Sequence, residues 1–124
     1  MNALGTHILL ELHDCDTGLL DDLDHLRSSL MQAAIDVGAT IIDDVFHQFS
    51  PHGVTGVIAI AESHLCIHTW PEYGYAAVDV FTCGENFKPH KAVKQIVKSV
   101  RSNNYKVTEV ERGILPALIQ TSIR

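Results

Sequence analysis

From Glu62 to Glu72 the chain reads Glu-Ser-His-Leu-Cys-Ile-His-Thr-Trp-Pro-Glu, a short stretch holding a serine, two histidines, a cysteine, a tryptophan and two carboxylates. If it is extended, the two-residue period of a strand puts His64, Cys66 and His68 on one face and Leu65, Ile67 and Thr69 on the other. One face is then chemically equipped. Three chemistries follow. Ser63 beside a histidine base could be a hydrolase nucleophile, although no GxSxG elbow surrounds it. His64, Cys66 and His68, completed by Cys83 or Asp79, could hold zinc in a non-catalytic binding module. The third uses the Glu62-Ser63 bond itself. The Ser63 hydroxyl attacks the Glu62 carbonyl, the peptide becomes an ester, and elimination leaves a dehydroalanine that hydrolyses to a pyruvoyl group. That route needs oxyanion donors and a base for the serine α-proton, for which His68 and a hydroxyl such as Thr55 are candidates.

Six strands and two helices are expected to position these groups. His7–His13 alternates with Ile8, Leu10 and Leu12 on one side, so Glu11 faces away from the apolar side. From Leu19 the positions Leu20, Leu23, Leu26, Leu30 and Ala34 follow a helical period, with Asp16 or Thr17 as cap and Gly38 as stop. Thr40–Phe49 and Val54–Ala61 read as a hairpin around Ser50-Pro51-His52-Gly53, and His64–Thr69 and Tyr75–Cys83 as a second pair around Pro71-Glu72-Tyr73-Gly74. Phe87–Val100 is predicted helical, with Asn86 as cap and Pro89 in the first turn, before a last strand Tyr105–Arg112. The order β-α-β-β then β-β-α-β hints at two similar halves. The predicted fold is α+β, a two-layer sandwich of one antiparallel β-sheet with two helices on one face, dimerising through the sheets' other faces.

A chain of 124 residues suits a single domain, and a net charge of −6 argues against a nucleic-acid surface. Lys88, Lys91, Lys94 and Lys98 are spaced as the wet face of one helix. Three cysteines without CxxC spacing, and an N-terminus without a signal pattern, fit free thiols in a cytoplasmic protein. No apolar run approaches the roughly 20 residues that a membrane span requires.

The run from Glu62 through Ala77, followed by Asp79 and Phe81-Thr82-Cys83-Gly84, resembles the short prokaryotic S-adenosylmethionine decarboxylase proenzymes. The likeness extends back through Phe46-His47, Gly38-Ala39-Thr40, Cys15, Glu11 and Leu4-Gly5, and forward to Glu111-Arg112-Gly113. It implies self-cleavage between Glu62 and Ser63 into chains 1–62 and 63–124, the second starting with a pyruvoyl group derived from Ser63. The ketone would form a Schiff base with the substrate amine and take up the electrons released as carbon dioxide departs. By the same resemblance His68 takes the processing proton, Cys83 protonates the product carbon, Phe49 and Trp70 hold the adenine, and Glu72 binds the ribose. Glu11 could add negative charge near the sulfonium. The implied partners are S-adenosylmethionine and a second processed protomer, giving two α and two β chains, and the product is the aminopropyl donor for spermidine. Thr55 stands where a serine is expected, and Cys66 where a threonine is more usual. Relatives on this scaffold decarboxylate arginine or ornithine, so those substrates are the nearest alternative.

Overall fold

The computed structural model describes residues 3–83 and 89–116. Its strands are β1 (Ala3–His13), β2 (Thr40–Gln48), β3 (Val54–Ala61), β4 (Ser63–Trp70), β5 (Tyr75–Cys83) and β6 (Asn104–Ile114). They form one six-stranded sheet in the order β2-β3-β4-β5-β1-β6, every pair antiparallel. The helices are α1 (Thr17–Leu20), α2 (Leu23–Asp36) and α3 (Pro89–Ser99), with a 3₁₀ turn at Pro71–Tyr73. The β-α-β-β and β-β-α-β order expected from the sequence is present, with α1 and α2 sharing the first crossover.

Alternation sets the two sheet faces. Ile8, Leu10, Leu12, Ile58, Leu65, Ile67 and Val80 are buried, and they form the core with Leu26 and Leu30 of α2 and Ile96 of α3. Burial of such aliphatic side chains, each favourable by about 1.5–3 kcal/mol, is what holds the helices to this face. The other face is open. It carries Leu9, Val57 and Val110, each more than a third exposed, among polar groups.

One helix expected from Leu19 onward is two. Asp16 accepts from the Leu19 amide at 3.0 Å to start α1, and Asp22 accepts from the His25 amide at 3.0 Å to start α2. Between them Asp21 is drawn away by the β2–β3 hairpin, accepting from the Gly53 amide and from Gln48 Nε2, each at 2.8 Å. Those two bonds, aided by the charge of His52, hold the Asp21 carboxyl below its usual range. Thr69 ties the same corner from inside. It donates to the Leu20 carbonyl at 2.7 Å and accepts from the Val54 amide at 2.9 Å. The expected cap Asn86 lies outside the described residues.

Candidate active site

The Glu62-Ser63 bond sits at the junction where β3 ends at Ala61 and β4 begins at Ser63. The Ser63 hydroxyl donates to the carbonyl oxygen of Glu62. Beside it on the open face, His64 is in register with Phe81, which is in register with His7. Asp79 accepts from His64 Nε2 at 3.0 Å and from His7 Nε2 at 2.9 Å. Further along, Cys83 pairs with Gly5 and Gly5 with Arg112. A Cβ at Gly5 would meet the Thr82 carbonyl at 2.7 Å and the Phe81 ring at 3.0 Å, so only glycine lets Phe81 lean across β1. Arg112 lies 5.7 Å from the centre of that ring.

The opposite end of the same face carries the other candidates. Thr55 and His68 are cross-strand partners, and Thr55 Oγ1 lies 3.1 Å from His68 Nδ1. They open onto a cleft of about 310 Å3 lined by Phe49, Trp70 and Glu72 together with His52. Phe49 and Trp70 are 46% and 40% exposed, high values for aromatic side chains that a stacked ligand would cover. In the same row as His68, across Ala77, stands Glu11, which accepts from the Tyr75 hydroxyl at 2.5 Å. Burial, and then the Glu11 bond and charge, push the Tyr75 phenol up to about 12. The Trp70 and Tyr75 rings are 5.4 Å apart.

These two ends are distinct. Ser63 and His68 lie five residues apart on one strand, roughly 16 Å at about 3.3 Å per residue. Ala77, the partner of His68, is six residues from Cys83 on β5, roughly 20 Å. Within one chain, Ser63 and Cys83 therefore form one group, and Thr55, His68, Phe49, Trp70, Glu72 and Glu11 another. The expected approach of His68 to Ser63 does not occur inside a protomer.

A sequence model of the family described as S-adenosylmethionine decarboxylase matches residues 6–113. The chain belongs to this family. It is 53% identical over 114 residues to an S-adenosylmethionine decarboxylase proenzyme of a Thermoanaerobacter species, covering 92% of each chain. It is 49% identical over 113 residues to the proenzyme of that name from Thermotoga maritima, covering 91% of this chain and 87% of that one. The crystal structure of the adenosylmethionine decarboxylase from Aquifex aeolicus superposes with a TM-score of 0.86 at 38% identity, covering 93% of this chain and 95% of that one. A Trypanosoma brucei AdoMetDC monomer shares the fold, with a TM-score of 0.63 at 13% identity, and this chain spans 55% of it.

As a member of the S-adenosylmethionine decarboxylase family the chain gains nothing from the zinc reading. His64 and His68 are four residues apart on β4, roughly 13 Å, so His64, Cys66, His68 and Cys83 do not converge. Among the described residues the group that does is His7, His64 and Asp79, whose donor atoms lie within 4.8 Å. In this structure it is a hydrogen-bonded cluster, with Asp79 bridging the two rings. Arg112 Nη1 lies 3.0 Å from His7 Nδ1, and a guanidinium can only donate, so Nδ1 accepts and Nε2 bears the proton given to Asp79. Cys66, in register with Asp79, is pushed up to about 11 by burial and then by the Asp79 charge, which keeps it a neutral thiol. From the sequence Asp79 is only an alternative zinc ligand, and His7, Arg112, Tyr75 and His52 have no chemical part. Each acquires its place through a contact with a residue distant in the chain.

Proposed function

We propose that this protein is a self-processing decarboxylase of S-adenosylmethionine, cleaved between Glu62 and Ser63 into chains 1–62 and 63–124 from one domain. The observation that carries this is the Ser63 hydroxyl set against the Glu62 carbonyl at a strand junction, in a chain of this family. Attack of Oγ on the Glu62 carbonyl carbon breaks the C–N bond and leaves an ester. Loss of the Ser63 α-proton then expels the Glu62 carboxylate, and water releases ammonia and leaves a pyruvoyl group. The donor set fits that group: a serine hydroxyl at its carbonyl, and a free thiol, Cys83, at the same end of the sheet. A pyruvoyl ketone supplies an electrophile for the substrate amine and a sink for the electrons left by carbon dioxide.

The chain's own residues divide the remaining work. His68, held by Thr55, takes the α-proton during processing, and Cys83 returns a proton to the product carbon. Phe49 and Trp70 enclose the adenine, Glu72 accepts from the ribose hydroxyls, and Glu11, oriented by Tyr75, faces the sulfonium. Because the two groups are roughly 16 Å apart in one chain, His68 reaches Ser63 only from a second copy. A two-fold pairing through the open faces lays the Thr55–His68 end of one protomer over the Ser63–Cys83 end of the other, and repeats the site twice. Leu9, Val57 and Val110 supply apolar surface for that pairing. The free thiols suit a cytoplasmic setting, and no helix among the described residues is long and apolar enough to cross a membrane.

A denaturing intact-mass spectrum beside Ser63→Ala tests the processing. Two fragments in the parent, the second with a blocked keto terminus, and one intact chain in the variant are the expected results. Release of labelled carbon dioxide from S-adenosylmethionine, arginine and ornithine tests the substrate. Rapid release from arginine with none from S-adenosylmethionine would overturn the choice.

A further inference from the structure

His52 lies at the tip of the β2–β3 hairpin, one residue before a glycine whose φ is +106°. That tip is built. The Gly53 carbonyl accepts from the Phe49 amide at 2.8 Å and from Gln48 Nε2 at 3.0 Å, and the Gly53 amide is held by Asp21. A Cβ at Gly53 would approach the Thr69 carbonyl to 3.2 Å, so the tip is pressed against the end of β4. The result is that His52 Nε2 stands 3.2 Å from Glu72 Oε2, across the mouth of the cleft that Phe49 and Trp70 line.

We infer that His52 is a positioning residue for nucleoside recognition: its ring holds one oxygen of Glu72 and so aims the other at the ribose hydroxyls. A carboxylate on a side chain more than a third exposed is otherwise free to rotate into solvent, and ordering it on binding costs affinity. The imidazole set 3.2 Å from Oε2 restricts rotation of the carboxylate while lone pairs on both oxygens remain for a diol. The neighbouring Asp21 carboxylate is already committed to Gly53 and Gln48, which leaves Glu72 as the carboxylate that His52 meets at hydrogen-bond distance. His52 thereby sets selectivity for a ribonucleoside over a deoxyribonucleoside at this cleft.

The inference rests on the nucleoside reading of the cleft, and one binding experiment separates the two. The processed protein is titrated with 5′-methylthioadenosine and with its 2′-deoxy counterpart by equilibrium dialysis. Fluorescence of Trp70, the single tryptophan, reports stacking in parallel. The parent should bind the ribonucleoside more tightly than the deoxynucleoside, with quenching of Trp70. His52→Ala should weaken the ribonucleoside about three- to tenfold, the scale of one lost polar contact, and leave the deoxynucleoside unchanged. His52→Gln, which keeps an N–H donor, should restore most of the loss. In a Glu72→Gln background, His52→Ala should have little further effect, because the two act as one unit. Equal weakening of both probes by His52→Ala, or a full effect persisting without the Glu72 carboxylate, overturns the inference while sparing the nucleoside reading. Failure of the parent to bind either probe overturns both.

Discussion

Thr55 keeps a hydroxyl against His68 while adding a methyl, so on the proposed processing route the oxygen, rather than the residue type, is the group to test. Thr55→Val preserves shape and removes that bond, worth about 1–1.5 kcal/mol net. Self-cleavage after refolding, followed on denaturing gels, should slow about tenfold, and Thr55→Ser should match or exceed the parent. Cleavage of the valine variant at the parental rate would remove Thr55 from the machinery. A second expectation concerns Cys66, whose thiol is pushed up to about 11 by burial. Only the thiolate alkylates, so at pH 8 roughly 0.1% of Cys66 is reactive. Its labelling by iodoacetamide, read by peptide mass mapping, should climb about tenfold per pH unit to pH 10 without levelling; a plateau near pH 8 would mean that the thiol is not shielded. Residue type and spacing made Ser63 and His68 legible as candidates, whereas the parts expected of Cys83, Trp70 and Glu72 in decarboxylation came from the family resemblance of the motif. His52 and Tyr75 were not legible, because a histidine in a turn and a tyrosine opening a strand carry no signal until Glu72 and Glu11 are brought beside them.

At the scale of the element, β3 and β5 have the bounds their sequences predict, Val54–Ala61 and Tyr75–Cys83, because β-branched and aromatic runs end there in a turn or at a junction. The break between α1 and α2 was hidden in an unbroken helical period. Its cause is a bond from Asp21 to Gly53, 32 residues away, which no local propensity encodes. That bond has a pH signature. The Asp21 carboxyl is held below 3.8, its ordinary value, by Gly53 and Gln48, so it favours the folded state fully above that value and loses its contribution as pH falls through the lowered one. Asp21→Asn mimics the protonated form. Its urea midpoint should lie below the parent's at pH 7, and the gap should close as the pH is brought toward 2. A gap that stayed constant with pH would mean that the carboxylate charge is not what anchors the hairpin tip.

Across the whole molecule, the sheet's two faces differ: one packs the helices, and the open one carries both ends of the proposed site, which a single chain would not close. The sequence alternation foretold the open face, but the division of its groups into two ends appears only once strand register is known: His68 against Ala77, Cys83 against Gly5. This division makes an unusual genetic prediction. Ser63→Ala and His68→Ala should each give an uncleaved or poorly cleaved chain when produced alone. Produced together with different affinity tags and purified through both tags, mixed dimers pair an intact Ser63 from the His68→Ala chain with an intact His68 from the Ser63→Ala chain. The reciprocal site has neither group. Half of the sites in such dimers should therefore process and decarboxylate, and only the chain carrying the His68→Ala change should split, because it alone retains Ser63. A mass spectrum of the doubly purified sample reads this directly, since the two tags mark the two chains. If His68 instead reached Ser63 within its own protomer, every site in the mixed dimer would lack one group and neither chain would be cut. Tandem purification yielding no mixed species at all would exclude pairing through the open faces and leave Leu9, Val57 and Val110 facing water.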